Sequence, residues 1–347
     1  MKEIIDYIRK LYNTNNYIPL HEPRFWGNEK KYIEECIDST VVSSVGKYIE
    51  IFENKCRDYV NAKYTVAAVN GTCALHISLI LAEVKPNDLV ITQPLSFVAT
   101  CNAITYVNAE PLFIDIDKIS LGLSYNKLEE FLITQTYIND HDGYCYHKKS
   151  NRRIKACIPM HTFGHCTEID KIVEICSKYN IIVIEDAAEA IGSRYKSRHA
   201  GTYGLLGILS FNGNKIITLG GGGLIITNDE KLAKRAKHLT TQAKIPHKWN
   251  FEHDETGYNY RLPNLNAALG CAQMENLEYF LNMKRELSKR YEEFFSNYPE
   301  IQFVKEPPNC RSNYWLNAIL FKDEIERDKF LEYSNNNGVM TRPAWKL

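Results

Sequence analysis

The rhythm of hydrophobic and polar positions changes near residue 65. Before it, MKEIIDYIRKLYN and residues about 28–38 place apolar side chains at helical spacing. Between them lies IPLHEPRFWG, whose prolines and glycine predict an extended arm. TVVSSVGKYIEIFENKCRDYV reads as a loop running into an amphipathic helix. From 65 onward, short apolar runs alternate with helical patterns. TVAAVNGTCALHISLILAEV is strand, Gly-Thr turn and helix; DLVITQPLSFVATCNAITYVNAEPLFIDID repeats strand, helix and strand. KACIPMHTFG, a helix over about 167–179, and IIVIED continue the series. Strands that are apolar throughout need cover on both faces, so the pattern predicts an α/β fold on a mainly parallel sheet. Ligands of such sheets gather at the carboxyl ends of strands, where Asn70-Gly71-Thr72, Ser96-Phe97, His161 and Asp186 converge.

Residues 136–153 are polar and irregular and predict an exposed excursion. After Thr227, NDEKLAKRAKHL reads as a helix and TQAKIPHKWNFEHDETGYNYRLPN as a long loop, a length that in a compact protein usually serves function. One long helix is predicted over about 263–295, its first turn set by Pro263. IQFVKE, YWLNAILF, a helix over 324–335 and GVMTRPAW then alternate as a small α+β domain would. The expected division is a large α/β domain over 20–245 and a small domain over 246–347 joined by residues 1–19.

Lys plus Arg and Asp plus Glu balance at 42 each, so no net field draws the chain to nucleic acid or to a membrane surface. Any partner must be recognised locally. The ten cysteines form no CxxC pair and several sit in apolar segments, which favours free thiols in a reducing compartment. No apolar run approaches the ~18 residues of a membrane span, and a cytoplasmic protein is expected.

Candidate chemistry concentrates in 181–227. Asp186 ends a buried strand, and Lys215 stands on a turn before four glycines. Each charge needs a partner, and the near sequence offers none. A small molecule with a basic ring nitrogen and an aldehyde would serve both. Gly71-Thr72 opens a helix, where free N–H groups and the helix dipole attract anions; Ser210 adds a hydroxyl. Phe97, just after a strand end, is available to stack on a flat ring, although a place in the core is the commoner use of such a residue. His161, His165 and Cys166 form one short turn without a closing cluster, and no metal is expected. Asp186 and Glu189 are three apart, but without an aromatic cleft they do not suit glycoside cleavage.

In order and spacing, NGTCALHISL, LSFVATCNAI, IEDAAEAIGS, SFNGNK before GGGG, and GYNYRLPNLNAALGCAQ resemble the DegT/StrS family of pyridoxal-phosphate-dependent nucleotide-sugar aminotransferases. The resemblance runs from about residue 18 to Leu347. It implies a fold-type I aminotransferase: a seven-stranded, mostly parallel sheet between helices, a smaller α+β C-terminal domain, and a homodimer with shared active sites. Lys215 then matches the lysine that binds the aldehyde of pyridoxal 5′-phosphate, which becomes pyridoxamine 5′-phosphate during turnover. Asp186 matches the carboxylate that pairs with the pyridine nitrogen, Glu189 lies near the ring hydroxyl, and Phe97 covers one ring face. Thr72, Cys73 and Ser210 fall at phosphate-contacting positions, and Gly71 leaves room for the backbone. Asn259 matches the asparagine that reaches the neighbouring subunit's cofactor phosphate. Arg261 falls at the interface, and Ser43, Ser44 and Gly46 fit the substrate loop.

LSFVATCNAI and MTRPAW are most similar to members that aminate C4 of a UDP-linked 4-keto-6-deoxyhexose, the viosamine, bacillosamine and legionaminic-acid types. L-Glutamate would be the donor, and a 4-amino-4,6-dideoxy sugar for glycan or surface polysaccharide synthesis the product. A C3 aminotransferase and a non-catalytic cofactor-binding regulator are the alternatives. A C3-dehydratase would carry histidine at Lys215.

Overall fold

The computed structural model describes all residues, Met1–Leu347. Its centre is a twisted sheet with main-path order Tyr64–Ala68, Gly223–Thr227, Leu206–Ser210, Ile182–Asp186, Arg152–Ile158, Leu89–Thr92 and Glu110–Phe113. The last five run parallel, whereas Gly223–Thr227 is antiparallel to both its neighbours. Ile184, Ile208 and Ile225 lie in a core cluster on one face, and Val183, Leu209 and Leu224 in a second cluster on the other. Alternate side chains of each strand are thus covered from both sides, as the unbroken apolar runs require.

Helices Gly71–Leu81 and Val98–Tyr106 each begin directly beyond a strand end and pack on each other. Asn70 caps the first by accepting from Cys73 N–H at 2.8 Å. Strand ends and helix N-termini therefore meet along one edge of the sheet.

Three expectations need correction. Residues 136–153 are not an irregular excursion: Thr136–Ile138 and Cys145–His147 pair antiparallel, and the second strand runs beside Arg152–Ile158. Tyr137 stacks on Tyr146, and Tyr144 lies under Arg153 and Lys155 at 4.8 and 4.9 Å, so polar residues here hold a hairpin. The long helix is two, Asn264–Glu275 and Leu277–Phe295, separated at Asn276, whose φ of −108° and ψ of 5° leave the helical region. YWLNAILF supplies only the short strand Ile319–Leu320, because residues 312–315 spend their polar groups on loops of the large core. Leu262, Ala267, Cys271 and Leu281 belong to the same cluster as Phe52 and Phe211, while Ile4, Ile5, Ile8 and Ile18 pack with Phe295, Phe303, Phe330 and Val339.

All ten cysteines are free; Cys73 and Cys310 are half-buried and the others buried. No helix is long and apolar enough to cross a membrane.

Glu185, completely buried, accepts from the backbone N–H groups of Gly201, Tyr203 and Gly204 at 2.8, 2.5 and 2.7 Å. His161 Nε2 lies 3.0 Å from its other face, and His161 Nδ1 accepts from Thr167 N–H at 3.4 Å, so the proton on Nε2 is donated to Glu185. Burial alone would raise this carboxyl, but His161 and the backbone donors hold it below the usual range. The loop tied down in this way feeds Leu206–Ser210. There Gly207 is obligatory, since a Cβ would lie 2.0 Å from Gly201 O. Glu185→Ala would leave His161 and three N–H groups unpaired in the core. Urea unfolding of the cofactor-free protein is expected to show a loss of about 3–5 kcal/mol; a loss no larger than an ordinary surface substitution would contradict the anchoring role.

Candidate active site

Asp186 is the last residue of its strand and only 3 % exposed. Thr100 Oγ1 donates to its Oδ2 at 2.6 Å and Ala188 N–H to its Oδ1 at 3.1 Å. Thr100 is in turn met by Ser96 Oγ at 3.0 Å, so the first turn of Val98–Tyr106 fixes the carboxylate. No cationic side chain pairs with it. Each oxygen keeps a lone pair, which suits a protonated ring nitrogen.

Lys215 follows a turn in which its N–H donates to Asn212 O. Its Nζ lies 3.5 Å from Glu189 Oε1 and 4.0 Å from the centre of the Trp315 ring. Glu189 is buried and also accepts from Phe163 N–H at 2.9 Å. Burial pushes its carboxyl up to about 7, opposed by Lys215 and the Phe163 N–H and assisted by the negative charge of Asp186.

A cradle for an anion faces this group. The helix beginning at Gly71 cannot use the N–H groups of its own first turn, and the Asn70 cap takes only that of Cys73. Gly71 touches strand Leu206–Ser210: a Cβ there would stand 2.9 Å from Ser210 Cβ and 3.2 Å from Ser210 Oγ. Thr72 and Cys73 are half-buried at the same end. The space that only glycine leaves, free N–H groups and a neighbouring hydroxyl together fit a phosphate. Phe97, 48 % exposed at the start of the next helix, is available to a flat ring. Carboxylate, amine, cradle and aromatic thus suit pyridoxal phosphate at their respective ends.

The structure gathers Gly71, Thr72, Cys73, Phe97, Asp186, Glu189, Ser210 and Lys215 around this edge of the sheet. It does not bring Asn259, Arg261, Ser43 or Ser44 into contact with Lys215 or Asp186. Asn259 is exposed, and its Oδ1 accepts from Arg261 Nη2 at 3.2 Å. Ser43 and Ser44 lie in a loop clamped by Asn264, whose Nδ2 donates to Val41 O at 2.7 Å and whose N–H donates to Ser43 O at 2.6 Å.

Sequence reading missed Thr100, whose only signal is the one-turn spacing from Ser96, and Trp315, which was absorbed into a predicted strand. Trp315 is placed by Asn313, whose Oδ1 accepts the Trp315 N–H at 2.8 Å while its Nδ2 donates to Glu189 O and Ile191 O, each at 2.8 Å. Trp345 was missed as well; its ring lies 6.0, 5.1 and 6.4 Å from those of Phe97, Phe163 and Trp315. His161, His165 and Cys166 do not converge: His161 is used by Glu185, His165 packs edge-on against Tyr314, and Cys166 lies against Cys310.

Comparison with known proteins agrees with this geometry. Residues 25–347 match the model of the DegT/DnrJ/EryC1/StrS aminotransferase family. The chain is 36% identical over 329 residues to a GDP-perosamine synthase of Escherichia coli O157:H7, covering 95% of this chain and 85% of that protein. It is 37% identical over 336 residues to a GDP-perosamine synthase of Caulobacter vibrioides, covering 94% and 84%. Among solved structures, the aminotransferase TlmJ from Streptoalloteichus hindustanus superposes with a TM-score of 0.86 at 25% identity, covering 95% of this chain and 86% of that one. The nucleotide named in these relatives is GDP, not the UDP expected from LSFVATCNAI and MTRPAW. Sequence match and fold agree: the chain belongs to the DegT/DnrJ/EryC1/StrS aminotransferase family.

Proposed function

We propose that this sugar aminotransferase moves the amino group of L-glutamate to C4 of a nucleotide-linked 4-keto-6-deoxyhexose, giving a 4-amino-4,6-dideoxy sugar. The observation that carries the reading is the convergence of Lys215 and Asp186 on Glu189 beside the Gly71 cradle. The names of the relatives support C4 of a GDP-linked sugar. GDP therefore replaces UDP as the first nucleotide to test, with UDP as the comparison.

Bound pyridoxal phosphate supplies an aldehyde for the amino group and a ring that accepts the electrons left when a proton departs the neighbouring carbon. Asp186 would hold the ring nitrogen protonated, and the Thr100 and Ala188 donors keep that carboxylate in place. Gly71, Thr72, Cys73 and Ser210 would hold the phosphate, and Phe97 would cover one ring face. Lys215 would hold the cofactor's aldehyde, and its free Nζ would be the base that takes up the proton of the donor's α-carbon and the acid that returns it. Glu189, 3.5 Å from that amine, is a carboxyl able to hold or release a proton near neutrality. Asn259 and Arg261 would act across a homodimer interface toward the partner's site, and Ser43 and Ser44 would face the sugar nucleotide. We place the change from large to small domain within Leu277–Phe295 rather than at 246.

Purified protein incubated with pyridoxal phosphate should acquire a visible band that glutamate bleaches. With the GDP-linked keto sugar it should release 2-oxoglutarate, and NMR of the product should show nitrogen on C4. Failure to take up the cofactor would remove the reading, and nitrogen on C3 would replace C4. Lys215→Ala should abolish the band and lower turnover by roughly 10²–10⁴-fold or more; retained turnover would reassign the base.

The carboxyl of Glu189 also sets a pH dependence. Its folded value of about 7 lies above the ordinary 4.5, so its stabilising contribution is complete below about 4.5 and is lost as pH rises through about 7. In the cofactor-free protein, Glu189→Gln should therefore flatten the fall in unfolding free energy across that window. Parallel profiles of wild type and variant would mean that Glu189 does not titrate there.

A further inference from the structure

The short ribbon that pairs Arg194–Tyr195 with Cys310–Arg311 sets two like charges face to face. In its antiparallel register Tyr195 lies opposite Cys310, and Arg194 lies opposite Arg311. Residues paired directly across neighbouring strands share one face, and like charges placed there repel. Both arginines are half-buried, which removes part of the water that would screen them.

No carboxylate offsets this pair. The Arg194 guanidinium donates only to backbone carbonyls, Ser197 O and Tyr59 O, at 3.3 Å each. Arg311 forms neither an ion pair nor a side-chain hydrogen bond. The acids of the adjoining elements are engaged elsewhere: Asp170 by Lys196 Nζ at 2.6 Å, Glu278 by the Tyr59 hydroxyl at 2.7 Å, and Glu306 by Arg285 at 2.7 Å. On its other side Arg194 is paired with His199. His199 Nε2 accepts from Gly192 N–H at 2.8 Å, so that ring is neutral and supplies no counter-charge.

A cavity of about 470 Å³ opens over the pair, lined by Arg194, Lys196, Ser197, Asn309, Cys310 and Arg311. None of these residues belongs to the Lys215 site, and none is acidic. Lys196 N–H donates to Asn309 O at 2.9 Å, which ties the hairpin turn to the loop before Arg311. The Ser197 hydroxyl and the Asn309 amide are neutral donors with no side-chain partner. Each guanidinium is a planar fork able to take one phosphoryl group, and two forks side by side in a cavity of this size suit two linked groups better than one.

We propose that this cavity is an oxyanion site, separate from the reaction centre, that binds a diphosphate group. Arg194 and Arg311 are the charged forks, and Lys196, Ser197 and Asn309 the further donors. The diphosphate is free pyrophosphate or part of a nucleotide.

Inorganic pyrophosphate titrated calorimetrically into the cofactor-loaded protein at low salt should bind saturably, and Arg311→Gln should raise the dissociation constant about tenfold or more. Arg311→Lys keeps the charge without the fork and should fall between the two. No binding by wild type overturns the site. So do equal constants in wild type and Arg311→Gln, which would put the anion in the reaction centre instead. GDP distinguishes the sources: one more site per chain in wild type than in Arg311→Gln assigns the nucleotide, and equal stoichiometry assigns the free diphosphate. Thermal unfolding separates binding from a structural role. Without anion, relief of the paired charges should leave the midpoint of Arg311→Gln at or above that of wild type, and the rise that pyrophosphate gives wild type should be lost. A lower midpoint with that rise intact would make Arg311 a strand-pairing residue and overturn the proposal. Neither measurement uses turnover, so failure of the amino-transfer reading leaves this site to be decided on its own.

Discussion

Two consecutive carboxylates at the end of one strand set the geometry of everything around them. Strand alternation sends Glu185 and Asp186 to opposite faces of the sheet. Both are almost free of solvent, and each is tolerable only because donors are delivered to it. Glu185 collects the backbone of residues 201–204 and the ring of His161. That closes the turn into Leu206–Ser210 and so fixes Ser210 beside Gly71. Asp186 collects Thr100 and Ala188 and so fixes the start of the next helix, where Phe97 stands. The structural acid thereby shapes the anion cradle, and the acid facing the site shapes the aromatic wall.

The C-terminal part of the chain is attached to this centre by polar clamps as much as by apolar contact. Asn313 reads two backbone carbonyls of 189–191 and orients Trp315; Ser312 Oγ donates to Gly164 O at 3.0 Å. Each is buried, so each hydrogen bond is worth more as a condition than as a contribution, since leaving one unmade would strand a polar group. Trp315 is thereby tied to the Glu189 turn through Asn313, to Lys215 through its ring and to Lys284 through its carbonyl.

Much of the large layer was legible because apolar runs of strand length separated by helical patterns admit few arrangements. Asp186 and Lys215 stood out as charges with no local partner. What stayed hidden was long-range. Nothing near Glu185 announces that residues 201–204 will satisfy it, and nothing in YWLNAILF distinguishes a strand from a loop whose tryptophan covers a lysine. The hairpin at 136–147 escaped notice because its cohesion comes from tyrosines stacking with one another and with Arg153 and Lys155, which composition alone scores as polar. The break at Asn276 escaped for a related reason: apolar periodicity continues through it, and only the backbone dihedrals change.

The ten unpaired thiols have a practical meaning beyond the absence of cross-links. They are spread over different seams: Cys271 on the helix that carries the Asn264 clamp, Cys157 and Cys176 under the central strands, Cys166 and Cys310 where residues 161–167 meet 310–315. A buried thiol reacts only when its own surroundings open. Alkylation read cysteine by cysteine would therefore map the order in which the molecule comes apart, a clock built into the native sequence that requires no added label.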